Sequence, residues 1–177
     1  MVSFAGDGHP DFGIVFQNPD LQLFNASVRD EILYRVPDPD MTYYRWLLTA
    51  LGLEPYENTP PLLLSEGEKK RLALALVLMR RPLHGLLLDE PSLGQDSDHK
   101  RILMGLLRSL ANAGQLVIMT THDLTLASQA DYLLLLGSEG VIAEGSTDAV
   151  INNRSAWERT GIALPAWFLR DRGLETL

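Results

Sequence analysis

Apolar residues in this chain come in two patterns: short unbroken runs, and longer stretches with apolar positions three or four apart. The runs Phe12–Phe16, Leu86–Leu88, Leu116–Met119 and Tyr132–Leu136 predict strands buried in a sheet. Val141–Glu144 follows the last of them across Gly140 and predicts its hairpin partner. The spaced pattern predicts helices. Ser27 can cap one that carries Val28, Ile32 and Leu33, with Asp30 in its first turn and Val36-Pro37-Asp38-Pro39 as its end. Asp40 caps a second, Met41–Leu51, with Tyr44, Leu47, Leu48 and Leu51 on one face and Gly52 as the stop. Ser65 and Glu68 have capping-box spacing, and the helix they open carries a stripe of Leu72, Leu76 and Met79 before ending at Arg80-Arg81-Pro82. Asp96 or Ser97 starts the next, with Ile102, Leu103, Leu106, Leu107 and Leu110 on one face and a stop near Gly114. Asp123–Ala130 reads as helical, and Thr147–Thr160 as a single terminal helix. Met1–Asp11 has no periodicity and reads as a loop.

Strands alternating with helices predict an α/β protein with a mostly parallel sheet. Composition narrows its class. With 177 residues, 46% of them apolar, the chain can bury one domain-sized core. The longest apolar run, Leu72–Met79, is flanked by basic residues and falls far short of the roughly 20 residues of a membrane helix. Met1–Pro10 has no secretory pattern and there are no cysteines, so a cytoplasmic location is the expectation. A net charge of −8 argues against a broad nucleic-acid footprint. His9, His84, His99 and His122 lack metal-ligand spacing, and Trp157, Trp167 and Phe168 read as packing aromatics.

The candidate chemistry centres on Leu86-Leu87-Leu88-Asp89-Glu90-Pro91. A buried strand there delivers two adjacent carboxylates to the carboxyl edge of the sheet, where open α/β sheets bind ligands. Such carboxylates need a positive neighbour, commonly magnesium on a nucleotide phosphate, or else they are a solvated turn. Gln17, at the end of the first strand, is a turn residue or a ligand to a metal or water. Ser65–Glu68 is a well-capped helix start or a phosphate site in which Gly67 lets an anion approach the helix N–H groups. Glu66 and Glu68 oppose the second reading through their charge. His122 sits one step past a strand, again at the ligand edge.

Taken in order, Gln17 after a strand, Leu64-Ser65-Glu66-Gly67-Glu68 before a basic helix, Leu86–Pro91, Ser92-Leu93-Gly94-Gln95-Asp96, and Thr121-His122-Asp123 resemble the nucleotide-binding subunit of ABC transporters. Phe16-Gln17-Asn18-Pro19-Asp20-Leu21-Gln22-Leu23-Phe24 is similar to the energy-coupling-factor branch, which imports cobalt, nickel or vitamins. The resemblance covers Phe12 to about Pro165. It implies a partial P-loop NTPase (ABC ATPase) fold in a single domain over 1–177. The sheet core would lie at 12–18 and 83–150, the helical signature subdomain at 19–82, and a C-terminal extension at 151–177. It implies ATP and Mg2+ as ligands. Asp89 would hold the magnesium through its shell, Gln17 would touch the magnesium and the attacking water and relay to the membrane subunit, Glu90 would polarise that water, and His122 would contact the γ-phosphate in the transition state. Ser65, Gly67 and Glu68 would complete the nucleotide site of a partner subunit, and Asp96 would lie across the dimer interface. The implied partners are a second ABC ATPase subunit and a membrane permease subunit, with no nucleic acid, at the inner face of the cell membrane.

Departures from the family pattern modify these expectations. No Gly-x-x-x-x-Gly-Lys-Ser/Thr phosphate loop occurs in the 177 residues, so weak or no ATP binding by this chain alone is expected. The signature reads Leu-Ser-Glu-Gly-Glu where the family has Leu-Ser-Gly-Gly-Gln, and Gln95 stands where the family has leucine. Without the phosphate-loop strand, the strands before His122 and at Tyr132–Leu136 would close up, expose an apolar edge or pair with another chain, which predicts a dimer or larger oligomer. Three functions follow: an ATPase subunit of an importer in shortened form; a non-catalytic partner that lends its signature or binds the membrane subunit; and a soluble ABC protein of repair or translation, against which Asn18–Phe24 speaks.

Overall fold

The computed structural model describes residues 11–82 and 84–162, so the loop expected over residues 1–10 and the aromatics Trp167 and Phe168 lie outside it. The chain divides into two compact units, Met1–Thr121 and His122–Leu177. In the first, β1 (Phe12–Val15), β2 (Gly85–Asp89) and β3 (Leu116–Thr120) form a sheet in the order β1-β2-β3. Both pairs are parallel, with Val15 beside Leu88 and Leu88 beside Met119. Parallel neighbours require long crossovers. Helices α1 (Val28–Leu33), α2 (Met41–Ala50) and α3 (Glu66–Met79) supply the first, and α4 (Ser97–Asn112) the second. All three strands therefore end at one edge. This is the α/β architecture expected from the alternating pattern.

The predicted caps are present. Ser27 accepts from the Asp30 amide, Asp40 from Thr42 and Tyr43, and Ser65 and Glu68 form both halves of the capping box. The predicted stripe on α3 is a correction: every residue from Leu72 to Met79 is buried, on all sides of the helix. An unbroken run of leucine, alanine and valine has no polar face to give to solvent, so it becomes the centre of the core. Gly13 allows β1 to lie against it, since a Cβ at that position would sit 2.1 Å from Val77 Cγ1. At the other side of β1, the Gln22 amide accepts from Phe16 N at 3.1 Å and donates to Ile14 O at 2.9 Å. It occupies backbone groups that an edge strand otherwise leaves open.

Alternation along the strands divides the sheet into two faces. Val15, Leu86 and Leu88 enter the core, whereas Ile14, Phe16, Leu116 and Ile118 on the other face are 37–47% exposed. Among the described residues, strand β3 has one hydrogen-bonded neighbour, β2.

The second unit holds α5 (Leu124–Ala127), β4 (Tyr132–Gly137), β5 (Gly140–Ser146), α6 (Thr147–Ile151) and α7 (Arg154–Thr160). Strands β4 and β5 make the expected antiparallel hairpin, with a register shift between Leu135 and Leu136. The single terminal helix expected over Thr147–Thr160 is instead two. Asn153 accepts from the Ala156 amide at 3.2 Å and starts α7, a capping role that asparagine fills better than it continues a helix. Trp157 is buried on the unit's small core, and its Nε1 donates to Val150 O at 3.0 Å.

Candidate functional site

The apolar run of β2 ends in Asp89, whose carboxylate is exposed at the carboxyl edge of the sheet. Thr120, at the end of β3, donates its hydroxyl to Asp89 Oδ1, and its carbonyl accepts from Glu90 N at 3.1 Å. Glu90 takes a left-handed backbone conformation, φ +45°. Its carbonyl accepts from Lys70 Nζ at 2.9 Å. Lys70 belongs to α3 and is 6% exposed. Burial holds its ammonium below the usual lysine range, opposed by the charges of Glu90, Glu66 and Asp89. Gln17 follows β1 and is exposed, and the parallel register of β1 on β2 places it at the same edge as Asp89.

A second group is built on the first turn of α3. Glu68 accepts from Ser65 N at 2.7 Å and from the Tyr56 hydroxyl, and the tyrosine is the main reason its carboxyl is held below the ordinary value. Glu66 lies 3.5 Å from Lys69, which also pairs with Asp20 at 2.9 Å and so joins the helix to the turn after β1. Both acids that opposed phosphate binding in the sequence are thus engaged by their own chain. Gly67 is buried: a Cβ there would lie 3.0 Å from Gly94 O. Gln95 Nε2 donates to Gly67 O at 2.9 Å, and Arg71 Nη1 donates to Gln95 Oε1 at 3.1 Å. Asp96 is the N-cap of α4, where the His99 amide and ring lower its carboxyl below the usual range.

The fold thus brings Asp89, Glu90 and Gln17 to one edge and binds the turn of Ser65–Glu68 to the segment that ends in Asp96. His122 is exposed at the start of the second unit, one residue before Asp123, the N-cap of α5. Lys70, Arg71 and Thr120 are site residues to which sequence reasoning gave no site role, and Gln95 was legible there only as a departure from the family pattern. Helical spacing puts Gly67, Lys70, Arg71 and Leu74 on one face, and Thr120 ends its strand as Asp89 ends β2. Those were the available signals.

Residues 14–128 match a family model described as "AAA domain, putative AbiEii toxin, Type IV TA system". The chain belongs to that family. Its fold is the ABC ATPase form of the P-loop NTPase fold. The CbiO1 protein of Clostridium perfringens, described as part of the ABC transporter complex CbiONQ, superposes with a TM-score of 0.66 at 29% identity, over 92% of this chain and 68% of that one. A dimeric ATP-binding cassette in a post-hydrolysis state, bound to ADP and Pi, superposes with a TM-score of 0.68 at 26% identity, over 77% of this chain and 63% of that one. In sequence, the chain is 34% identical over 160 residues to the energy-coupling factor transporter ATP-binding protein EcfA of Methanothermobacter thermautotrophicus, covering 86% of this chain and 51% of that protein. It spans about half the length of the curated relatives it matches.

An ABC ATPase fold implies Mg2+ with its nucleotide, and the exposed carboxylate of Asp89 and amide of Gln17 are hard oxygen donors that suit it. Among the described residues no cluster of three or more histidine, cysteine or acidic side chains could cage a metal ion. The donor set fits an ion that keeps waters and phosphate oxygens as its other ligands. No helix among the described residues is long and apolar enough to cross a membrane.

Proposed function

We propose that this chain is the ATP-binding and ATP-hydrolysing part of an energy-coupling-factor type ABC importer for a metal ion or a vitamin. It would work on the inner face of the cell membrane with a second ATPase subunit and a membrane permease subunit. The observation that carries this reading is the Asp89–Glu90 pair at the sheet's carboxyl edge, buttressed by Thr120 and Lys70. In this reading Glu90 accepts a hydrogen bond from the water whose oxygen attacks the γ-phosphorus, while the bond to the β-phosphate oxygen breaks and ADP departs. Asp89 and Gln17 hold the metal side of the site, His122 faces the γ-phosphate, and Mg2+ supplies charge neutralisation when bound. Ser65, Gly67, Glu68 and Asp96 face the partner subunit's nucleotide.

The 177 residues contain no phosphate-loop pattern, and the first turn of α3 is already capped by Glu68 and covered at Gly67 by Gly94. These observations support weak or no nucleotide binding by this chain alone. The missing phosphate-loop pattern also favours a second reading, a non-catalytic partner that supplies the signature turn to a complete subunit or binds the membrane component.

Binding and hydrolysis of Mg-ATP, measured on the purified chain with and without a complete ABC ATPase subunit, separate the two. Hydrolysis that falls by at least about 100-fold in Glu90→Gln supports the catalytic reading. Hydrolysis by the pair that is indifferent to Glu90→Gln but lost in Ser65→Ala supports the second. Tight ATP binding by the chain alone would overturn the expectation drawn from the missing phosphate loop.

A further inference from the structure

The segment after β2 is a stiff turn. Leu93 N donates to Glu90 O at 3.2 Å, Gln95 N donates to Ser92 O at 3.1 Å, and Pro91 and Ser92 between them are buried. Its two ends are fastened to the same helix. Lys70 holds the Glu90 carbonyl, and Gln95, itself held by Arg71, holds the Gly67 carbonyl one turn earlier on α3. Two-point attachment of a stiff turn to a helix fixes position and rotation together.

Each attachment overcomes a cost. A left-handed φ of +45° is unfavourable for a residue with a Cβ and persists only where its surroundings impose it. Here the Glu90 amide is held by Thr120 O and its carbonyl by Lys70 Nζ, so both adjoining peptide planes are pinned. Burying the Lys70 ammonium to 6% exposure is itself unfavourable, and the Glu90 carbonyl with the field of the nearby carboxylates offsets it. At the other end, glycine lets the helix lie close to Gly94 O, where a Cβ at Gly67 would press at 3.0 Å, and the Gln95 side chain bonds to Gly67 O in the same place.

We infer that Lys70 and Gln95 are positioning residues that lock the Asp89–Glu90 turn to the Ser65–Glu68 turn, so that the two move as one piece. A displacement imposed on the head of α3 is thereby delivered to the backbone of Glu90. The catalytic meaning of this coupling rests on the function proposed above, whereas the coupling itself is a property of the chain without nucleotide.

Residue-resolved amide hydrogen exchange on the nucleotide-free chain tests it, with global stability measured in parallel by urea. Lys70→Met is expected to speed exchange at Glu90 by about tenfold, the loss of one charge-assisted hydrogen bond, and Lys70→Arg to restore it to within about twofold of wild type. Gln95→Leu is the decisive variant, because its side chain bonds to Gly67 and Arg71 and not to Glu90. It is expected to speed exchange at Glu90 by at least about threefold while amides in α2 keep their rates. Wild-type exchange at Glu90 in Gln95→Leu would overturn the coupling, as would a uniform rise across the unit that tracks lost stability. If Lys70→Met does not fold, Gln95→Leu and Lys70→Arg still decide the matter. Should the chain prove inactive toward ATP, these rates stand unaffected, so failure of the functional reading and failure of the coupling are told apart.

Discussion

Glu31 is fully buried, yet its carboxylate accepts from Phe24 N at 2.8 Å, Asn25 N at 2.6 Å and Asn25 Nδ2 at 3.0 Å. A ring of donors around a buried acid means that the chain after Gln17 is folded around the Glu31 side chain. Glu31→Gln keeps the size but turns one acceptor into a donor facing donors, and is expected to lower urea stability by about 2 to 3 kcal/mol. Glu68 behaves differently because it is only partly buried. Its carboxyl is held below the ordinary glutamate value, chiefly by the Tyr56 hydroxyl, so the folded state favours the charged form. The associated stability is complete above the unfolded value and is lost as pH falls through the folded one. Urea titrations from about pH 6 to about pH 3 should therefore show a smaller acid loss for Glu68→Gln than for wild type.

At the scale of elements, α3 organises the first unit. It packs against α1, α2, β1 and the turn at Pro19–Leu21, and it carries Gly67, Lys70 and Arg71 to the site. Leu72, two residues after Lys70 and so on the other side of this helix, has no exposed surface. Leu72→Ala is expected to cost about 3 kcal/mol in urea unfolding, the transfer and cavity terms together, and a loss under 1 kcal/mol would show that the helix is less central than its burial implies. The break between α6 and α7 illustrates the opposite case, in which one polar residue outweighs a continuous helical pattern. Asn153 offers its side chain to a backbone amide, and the chain restarts there.

For the whole molecule, the unused surface matters most. One face of the parallel sheet leaves Ile14, Phe16, Leu116 and Ile118 partly exposed, and the hairpin of the second unit exposes Tyr132, Leu134, Leu136 and Val141 by more than half. Parallel sheets are ordinarily covered on both faces, and an open apolar edge promotes association. Sedimentation equilibrium is expected to show species heavier than the monomer, with Ile118→Lys shifting the distribution toward it. A wild-type chain that stays monomeric at all concentrations tested would count against this.

Local signals alone determined much of this protein: the first three strands to within one residue of their ends at Val15, Asp89 and Thr120, the caps at Ser27, Asp40 and Ser65, a helix start at Asp96 or Ser97, and the hairpin at Gly140. Each depends on a few neighbouring residues, so each is legible in order along the chain. The acids of the candidate site were legible for the same reason, since a carboxylate pair ending an apolar run marks itself. Tertiary structure alone decided which partners those acids have. That Lys70 turns to Glu90, that Gln95 reaches back to Gly67, and that α3 is buried on every side from Leu72 to Met79 depend on what the fold places across from them. A lysine in a basic run reads as solvated until a buried carbonyl is set opposite it, and only packing sets it there.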